Sequence, residues 1–192
     1  MQSRAIAYEL IKPASRWMEL PILLAFNLVL VACAYVAFPL PFSPVPVTGQ
    51  TFGVLLVAMA LGRVRGTGVV LAYLAEGAAG LPVFAGGAAG PQVLVGPTGG
   101  YLLGFVIAAY LVGTLAERGW DRSIFRSIVA MTIGYAVIFG CGLAMLSLYL
   151  PAEMLLALGL TPFLAGMIVK IGLAAWILPV ILKRAESRHT RE

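Results

Sequence analysis

Residues 20–62 read LPILLAFNLVLVACAYVAFPLPFSPVPVTGQTFGVLLVAMALG, and they contain no Asp, Glu, Lys or Arg. Residues 77–116 are equally free of these four residue types. A helix crosses the hydrocarbon core with about 20 consecutive apolar residues, so each stretch is long enough for more than one span. The sequence therefore predicts a protein that crosses a membrane several times.

The composition of the whole chain supports this class. It is 61% hydrophobic and 11% charged, whereas soluble domains carry roughly 25% charged residues. The net charge of +5 comes from small basic groups that flank apolar runs and form no continuous basic face. This pattern is typical of membrane topology signals and argues against a nucleic-acid partner.

Six apolar runs predict six transmembrane helices in a single all-α domain covering residues 1–192. The segment 1–19 is interpreted as a cytoplasmic lead-in, either interfacial or solvated, and 183–192 as a basic cytoplasmic tail. The second and third runs are short for a bilayer, so they must tilt, extend into the adjoining loops or stop at a cavity inside the protein, and their shortness points to a site. The predicted spans are 21–38, 51–61, 66–79, 99–116, 128–150 and 163–182.

The arginines and lysines predict the orientation of these spans in the cell membrane. Apart from Lys170, they lie in the N-terminal segment, in the 2–3 loop, in the 4–5 loop or after the last span. Under the positive-inside rule both termini and these two loops are cytoplasmic. The 1–2, 3–4 and 5–6 loops then face outward.

Two of the outward loops have an unusual composition. Residues 39–50 and 81–98 are rich in Pro and Gly but hold no formal charge. Irregular backbone at membrane depth is tolerated where it is buried in protein or lines a cavity. We therefore expect the three outer loops to cap a pocket near the outer face, with ordinary surface turns as the alternative.

Glu76 and Lys170 are the ionisable residues inside the predicted spans. A charge at the bilayer centre costs at least ~2.5–3.5 kcal/mol, so each needs a partner or a wet cavity. Lys170 lies 13 residues before Lys183, roughly 20 Å along a helix and too far to reach the inner boundary. It could line a pocket for a small organic acid or polar heterocycle, or form a buried ion pair with Glu76.

Enzyme chemistry finds little support in the sequence. The single histidine, His189, lies in the basic tail, and no cluster of Cys, His and carboxylate residues offers metal ligands. No lysine follows a glycine, as a phosphate-binding loop requires. We expect no catalytic residues, no metal, no cofactor and no ATPase motif in this chain.

Three ordered motifs lie in and beside the loops predicted to face outward. They read PVPVTGQT at 44–51, YLAEGAAGLPVFAGG at 73–87 and GPTGGY at 96–101. Together they closely resemble the BioY family, the biotin-binding S components of energy-coupling factor (ECF) transporters, over nearly the whole chain. The resemblance implies six helices, both termini inside, and biotin held near the outer face.

The resemblance also implies ligand contacts in three places: the 1–2 loop (residues 39–50), which is called the first lid below, the 3–4 loop (residues 81–98) and the sixth helix. One position departs from the family pattern, because Met167 stands where relatives often carry an aspartate that could accept hydrogen bonds from ureido N–H groups. Glu76 is a hypothetical substitute, and Gln92 or backbone N–H groups could meet the carboxylate. The candidate binding residues are Gln50, Glu76, Phe84, Gly86, Gly87, Gln92, Tyr101, Met167 and Lys170.

The expected partners follow from the same resemblance. They are biotin, membrane lipid, an ECF transmembrane coupling protein and two ATPase subunits, with biotin as transported ligand. Two other functions stay open: an S component for a different small vitamin, and an assembly subunit of the membrane that binds no ligand.

Overall fold

The computed structural model describes residues 16–174. The predicted lead-in up to residue 15, the end of the last predicted span and the tail 183–192 lie outside this range. Within it the fold is helical apart from one short hairpin. The helices are α1 (Arg16–Tyr35), α2 (50–61) and α3 (63–78), which together form Gln50–Ala78, α4 (Gln92–Val95), α5 (Gly99–Glu117), α6 (Ile124–Leu146), α7 (Ala152–Gly159) and α8 (161–174).

A glycine reverses the chain between α2 and α3. Gly62 has φ 78° and ψ −174°, a conformation that side chains with a Cβ rarely adopt. After it α3 runs back along α2, since a Cβ on Gly66 would lie 2.9 Å from the Cα of Ala58. The prediction of two short spans broken near this point is confirmed, because each arm is shorter than the about 20 residues of a full span.

Helix α5 packs closely against this reversal. A Cβ on Gly113 would lie 2.6 Å from the backbone nitrogen of Arg63, so the glycine lets the two backbones meet. Small residues at such crossings are typical of membrane bundles, where lipid supplies no hydrophobic drive for helix association. The α2–α3 pair and α5 therefore form the buried centre of the bundle.

Helix α1 covers one side of that centre and exposes its other face. Leu20, Leu24 and Leu28 repeat every fourth residue and are all more than half exposed. A soluble protein rarely leaves such a stripe open to water, whereas lipid solvates it. By length and composition, five stretches of the described chain could cross a membrane: Trp17–Tyr35, Gln50–Ala78, Gly99–Glu117, Ile124–Leu146 and Ala152–Ala174. The second of them is the one that Gly62 divides into α2 and α3.

The first lid contains a β-hairpin that the sequence analysis did not predict. Strand β1 (Ala37–Leu40) pairs antiparallel with β2 (Ser43–Thr48), with an irregularity between Phe38 and Leu40. The N–H of Gly49 donates to the carbonyl of Val36 at 2.8 Å and closes the hairpin onto the end of α1. Residue 39 therefore does not begin an irregular loop, because the chain is already a strand there.

Basic residues gather at one end of the bundle. Arg65 pairs with Glu19 on α1, and Arg63 approaches Glu117 at the end of α5 within 3.9 Å. The hairpin, the 3–4 segment (residues 79–98, between α3 and α5) and the 5–6 segment (residues 147–160, between α6 and α8) lie at the opposite end. This separation agrees with the predicted orientation, in which the arginine end is cytoplasmic.

Several predicted helix boundaries differ from the observed ones. Helix α1 begins by Arg16, five residues before the predicted span, with Pro21 inside it. Helix α6 covers Ile124–Leu146 instead of 128–150, and the separate helix α7 precedes α8. Apolar residues continue through these loops, so composition alone does not mark where a helix ends.

The close approach of α2 and α3 gives a stability prediction. We expect Gly66→Ala to lower the free energy of unfolding by about 1–3 kcal/mol, because its methyl group would meet the backbone of Ala58. The matched control is Gly68→Ala on the same helix, where an added Cβ meets nothing within 4 Å. Thermal unfolding in detergent measures both, and equal melting temperatures would contradict the packing.

Candidate functional site

A cavity opens among the hairpin, the 3–4 segment and helices α2, α5, α6 and α8. The space between protein atoms there is about 610 Å³, including the part that opens to solvent. Its aromatic lining comes from four of these elements: Phe84, Tyr101, Phe105, Tyr135, Phe139 and Phe163. Its polar lining consists of Thr48, Gln50, Thr51, Thr98 and Lys170, besides the tyrosine hydroxyls.

Lys170 reaches from α8 to the start of α2. Its Nζ donates to the carbonyl oxygen of Thr48 at 2.6 Å and to Oγ1 of Thr51 at 3.3 Å. An ammonium carries three N–H groups, so one N–H has no acceptor among residues 16–174. The arrangement leaves a cationic donor for a ligand oxygen in the cavity wall.

Gln50 is held in place by its neighbours. Its Oε1 accepts from the hydroxyl of Thr48 at 3.1 Å, and its Nε2 donates to the hydroxyl of Tyr73 at 2.5 Å. Tyr73 is fully buried. Since both ends of the amide are engaged, Gln50 shapes the polar floor of the cavity and fixes the first turn of α2.

The aromatic residues form a connected wall. Phe139 lies 6.0 Å from Tyr135 in a stacked arrangement and 6.3 Å from Tyr101 edge to face, measured between ring centroids. Phe163 on α8 is 6.1 Å from Phe139. The hydroxyl of Tyr101 donates to the carbonyl of Gly159 at 2.8 Å, which ties α5 to the end of α7. Such a wall suits a flat ring with apolar faces.

Phe84 closes the cavity from the 3–4 segment. Its ring is 1% exposed and packs edge to face on Tyr73, with centroids 5.5 Å apart. The segment is held to the end of α3 by the N–H of Gly90, which donates to the carbonyl of Gly77 at 2.7 Å. Among the predicted binding residues, Gln50, Phe84, Tyr101 and Lys170 therefore lie together on the cavity.

Glu76 lies on α3 outside the cavity lining. Its Oε1 accepts from Nδ2 of the buried Asn27 at 3.2 Å. Lys170 instead bonds to Thr48 and Thr51. The alternative of a buried Glu76–Lys170 ion pair is therefore wrong: each residue has different neighbours, and the Asn27–Glu76 contact joins α1 to α3.

The other four predicted residues also lie outside the lining. Gln92 donates from Nε2 to the carbonyl of Ala89 at 2.7 Å, a local contact within the 3–4 segment. Gly86 and Gly87 have positive φ values of 63° and 83°, so they form the turn after Phe84. Met167, one turn before Lys170, packs against the hydrophobic core of the bundle.

Comparison with known proteins identifies the family. A family model described as the BioY family matches residues 10–187. The chain belongs to the BioY family. The predicted resemblance is thereby confirmed, and with the five apolar stretches it makes this a multi-pass protein of the cell membrane.

Two curated relatives and one solved structure resemble this BioY-family chain. A biotin transporter BioY of Thermotoga maritima is 38% identical, covering 84% of this chain and 93% of that protein. A biotin transporter BioY2 of Lactococcus lactis subsp. cremoris is also 38% identical, covering 80% of this chain and 84% of that protein. The crystal structure of an S-component for biotin from an ECF-type ABC transporter matches with a TM-score of 0.79 and 26% identity. The match covers 89% of this chain and 95% of that chain.

The structure of this BioY-family chain adds cavity residues that the sequence analysis missed. Thr51, Phe105, Tyr135, Phe139 and Phe163 line the cavity, yet none carries a charge. A search for ionisable residues in apolar runs overlooks them, because hydroxyls and rings are ordinary in membrane helices. The four-residue spacing of Tyr135 and Phe139 on α6 places them on one face. This spacing is the feature of the sequence that could have indicated them.

Three side-chain hydrogen bonds join the outer segments of this BioY-family chain. The hydroxyl of Tyr35 on α1 donates to the carbonyl of Pro82 at 2.6 Å, and Oγ of Ser43 donates to the carbonyl of Leu158 at 2.8 Å. The hydroxyl of Tyr149 donates to the carbonyl of Val95. The hairpin end of α1, the 3–4 segment and the 5–6 segment are thus linked in a ring around the cavity.

The Tyr35–Pro82 bond gives a prediction about local opening. We expect Tyr35→Phe to speed amide hydrogen exchange in residues 81–90 by about two- to tenfold, the worth of one net hydrogen bond. Tyr110→Phe on α5 is the matched control, since the Tyr110 hydroxyl makes no such link to the outer segments. Equal exchange in both variants would show that this bond does not hold the 3–4 segment.

Proposed function

We propose that this chain binds biotin in the cavity and serves as the substrate-specific subunit for its uptake. Membership of the BioY family and the two relatives named biotin transporters support this proposal. The solved S-component for biotin supports it with a matching fold. The chain is accordingly a transporter subunit and not an enzyme.

The observation that carries the proposal is the placement of Lys170 in an aromatic cavity. Biotin combines a fused ring system with apolar flanks, a ureido group and a carboxylate. The wall formed by Tyr101, Tyr135, Phe139 and Phe163 matches the ring system. The remaining N–H of Lys170 suits an oxygen of the ligand, through a charge-assisted hydrogen bond.

We assign direct ligand contacts to Gln50, Phe84, Tyr101 and Lys170, which line the cavity. The other predicted residues take supporting roles: Gly86, Gly87 and Gln92 shape the 3–4 segment, and Glu76 holds α3 to α1. Met167 offers no carboxylate for the ureido N–H groups. The outer segments cap the site, with the ligand entering from the side predicted to face outward.

Measurement of biotin affinity tests the role of Lys170 directly. We expect Lys170→Met to weaken biotin affinity about 10- to 100-fold, because a charge-assisted hydrogen bond is lost while the unbranched apolar stem is largely kept. Calorimetric titration of purified protein measures this. The matched control is Arg126→Met, an exposed cation near the start of α6 that does not line the cavity. Unchanged affinity in Lys170→Met would remove Lys170 from the site.

Ligand identity is tested in the same preparation. Labelled biotin is competed with a panel of unlabelled vitamins, and we expect biotin alone to displace it at low concentration. Stronger displacement by another vitamin would favour an S component of different specificity. Failure of every panel member to bind, in a stable complex with other membrane proteins, would favour the assembly subunit.

We further propose that uptake is energised by an ECF transmembrane coupling protein and two ATPase subunits. The comparison with an S-component of an ECF-type ABC transporter supports such partners in general. In a host without its own biotin uptake, we expect co-expression with active ATPases to give biotin accumulation. ATPases without their catalytic glutamate are expected to abolish accumulation but not biotin binding in membranes.

Accumulation of biotin against its gradient with the inactive ATPases would contradict this energising role. The control is the same set of subunits with Lys170→Met, which separates loss of binding from loss of energy supply.

A further inference from the structure

Three polar groups converge on one wall of the cavity. They are Nζ of Lys170, Oγ1 of Thr51 and the hydroxyl of Tyr135, and all three residues line the cavity. Oγ1 of Thr51 lies 3.3 Å from both other atoms. Tyr135 is 2% exposed, so its hydroxyl faces protein and cavity and not the surrounding solvent.

The protons of this group can be counted. An ammonium has no lone pair, so Thr51 can only accept from Lys170 and its own O–H must point elsewhere. The Thr51–Tyr135 contact uses one of the two hydroxyl protons, whichever residue donates. The second proton has no further acceptor in the chain from residue 16 to residue 174.

The length of the contact between the two hydroxyls also indicates that a proton is available to a ligand. Hydroxyl–hydroxyl hydrogen bonds are usually about 2.7–2.8 Å between oxygens, so the 3.3 Å contact between Thr51 and Tyr135 is weak. A better acceptor placed between them would compete easily for either proton.

We propose that Thr51 and Tyr135 are specificity-determining residues, which present one hydroxyl donor to the ligand beside the free N–H of Lys170. This inference rests on the proposed function and adds the chemistry of one subsite. The wall carries two unsatisfied donors, so it favours a ligand oxygen that accepts hydrogen bonds. In biotin that oxygen belongs either to the ureido carbonyl or to the carboxylate.

Titration calorimetry with variants and analogues tests the subsite. We expect Thr51→Val to weaken biotin binding about 10- to 50-fold, because it removes a hydroxyl that can donate to the ligand and that accepts from Lys170. We expect Tyr135→Phe to weaken biotin binding about three- to tenfold. Thr51→Ser restores the hydroxyl and is expected to recover most of the affinity. Thr132→Val, on the exposed face of α6, is the control and leaves affinity unchanged.

Two analogues reveal which oxygen is recognised. In 2-iminobiotin a nitrogen replaces the ureido oxygen, and a second analogue ends its side chain in a methyl group instead of the carboxylate. The Thr51→Val penalty should vanish for the analogue that lacks the recognised oxygen and persist for the other. Either pattern supports the subsite and names its ligand atom.

Other results overturn it. An equal Thr51→Val penalty for biotin and both analogues would mean that the hydroxyl only maintains the cavity, and no penalty would mean that it plays no part. If Thr51→Val fails to fold, Tyr135→Phe carries the same comparison, since it removes a shared proton with little change in packing. Wild-type protein that fails to bind biotin would refute the proposed function itself, and this inference with it.

Discussion

A charged ammonium inside an apolar bundle needs hydrogen-bond acceptors, and Lys170 obtains them from a different part of the chain. Its Nζ contacts the backbone of Thr48 at the end of the hairpin and the hydroxyl of Thr51 on the first turn of α2. Breaking these contacts would leave a buried charge unpaired, which is strongly unfavourable in a membrane. One side chain thus joins α8, the hairpin and α2 around the cavity.

The reversal at Gly62 makes this arrangement possible. The first turn of α2 follows the hairpin directly and lies within reach of Lys170 in the last described helix, and the reversal brings Tyr73 of α3 back to Gln50 at that level. Gly66 and Gly113 let α3 and α5 pack against the reversal without filling the cavity. Close packing at the arginine end and a cavity at the lid end follow from the same short helix pair.

The sequence predicted those features that leave a strong physical trace. Lys170 was recognisable because a cation so far from the inner boundary has few explanations, and the charge-free Gly/Pro loops indicated lids. Gln92 is also a candidate binding residue from the sequence, but its amide donates to the carbonyl of Ala89. The sequence does not show which of several possible acceptors a glutamine amide contacts. The motifs of the lids carried the family assignment, which composition alone could not give.

The hairpin and the hydroxyl pair were beyond prediction for different reasons. Prolines at positions 39, 41, 44 and 46 argue against a central strand, yet a two-stranded ribbon has free edges on both sides and tolerates them. Thr51 and Tyr135 are neutral, and their meeting depends on the packing of α2 against α6. Local pattern specifies elements, whereas convergence of distant neutral side chains needs the three-dimensional structure.

The most direct test of the proposed site is a crystal structure of the purified protein with biotin bound. We expect biotin density in the cavity, with a ligand oxygen within hydrogen-bonding distance of Nζ of Lys170 and the ring system against Phe139. Biotin bound elsewhere, or a Lys170 ammonium that does not contact the ligand, would contradict it.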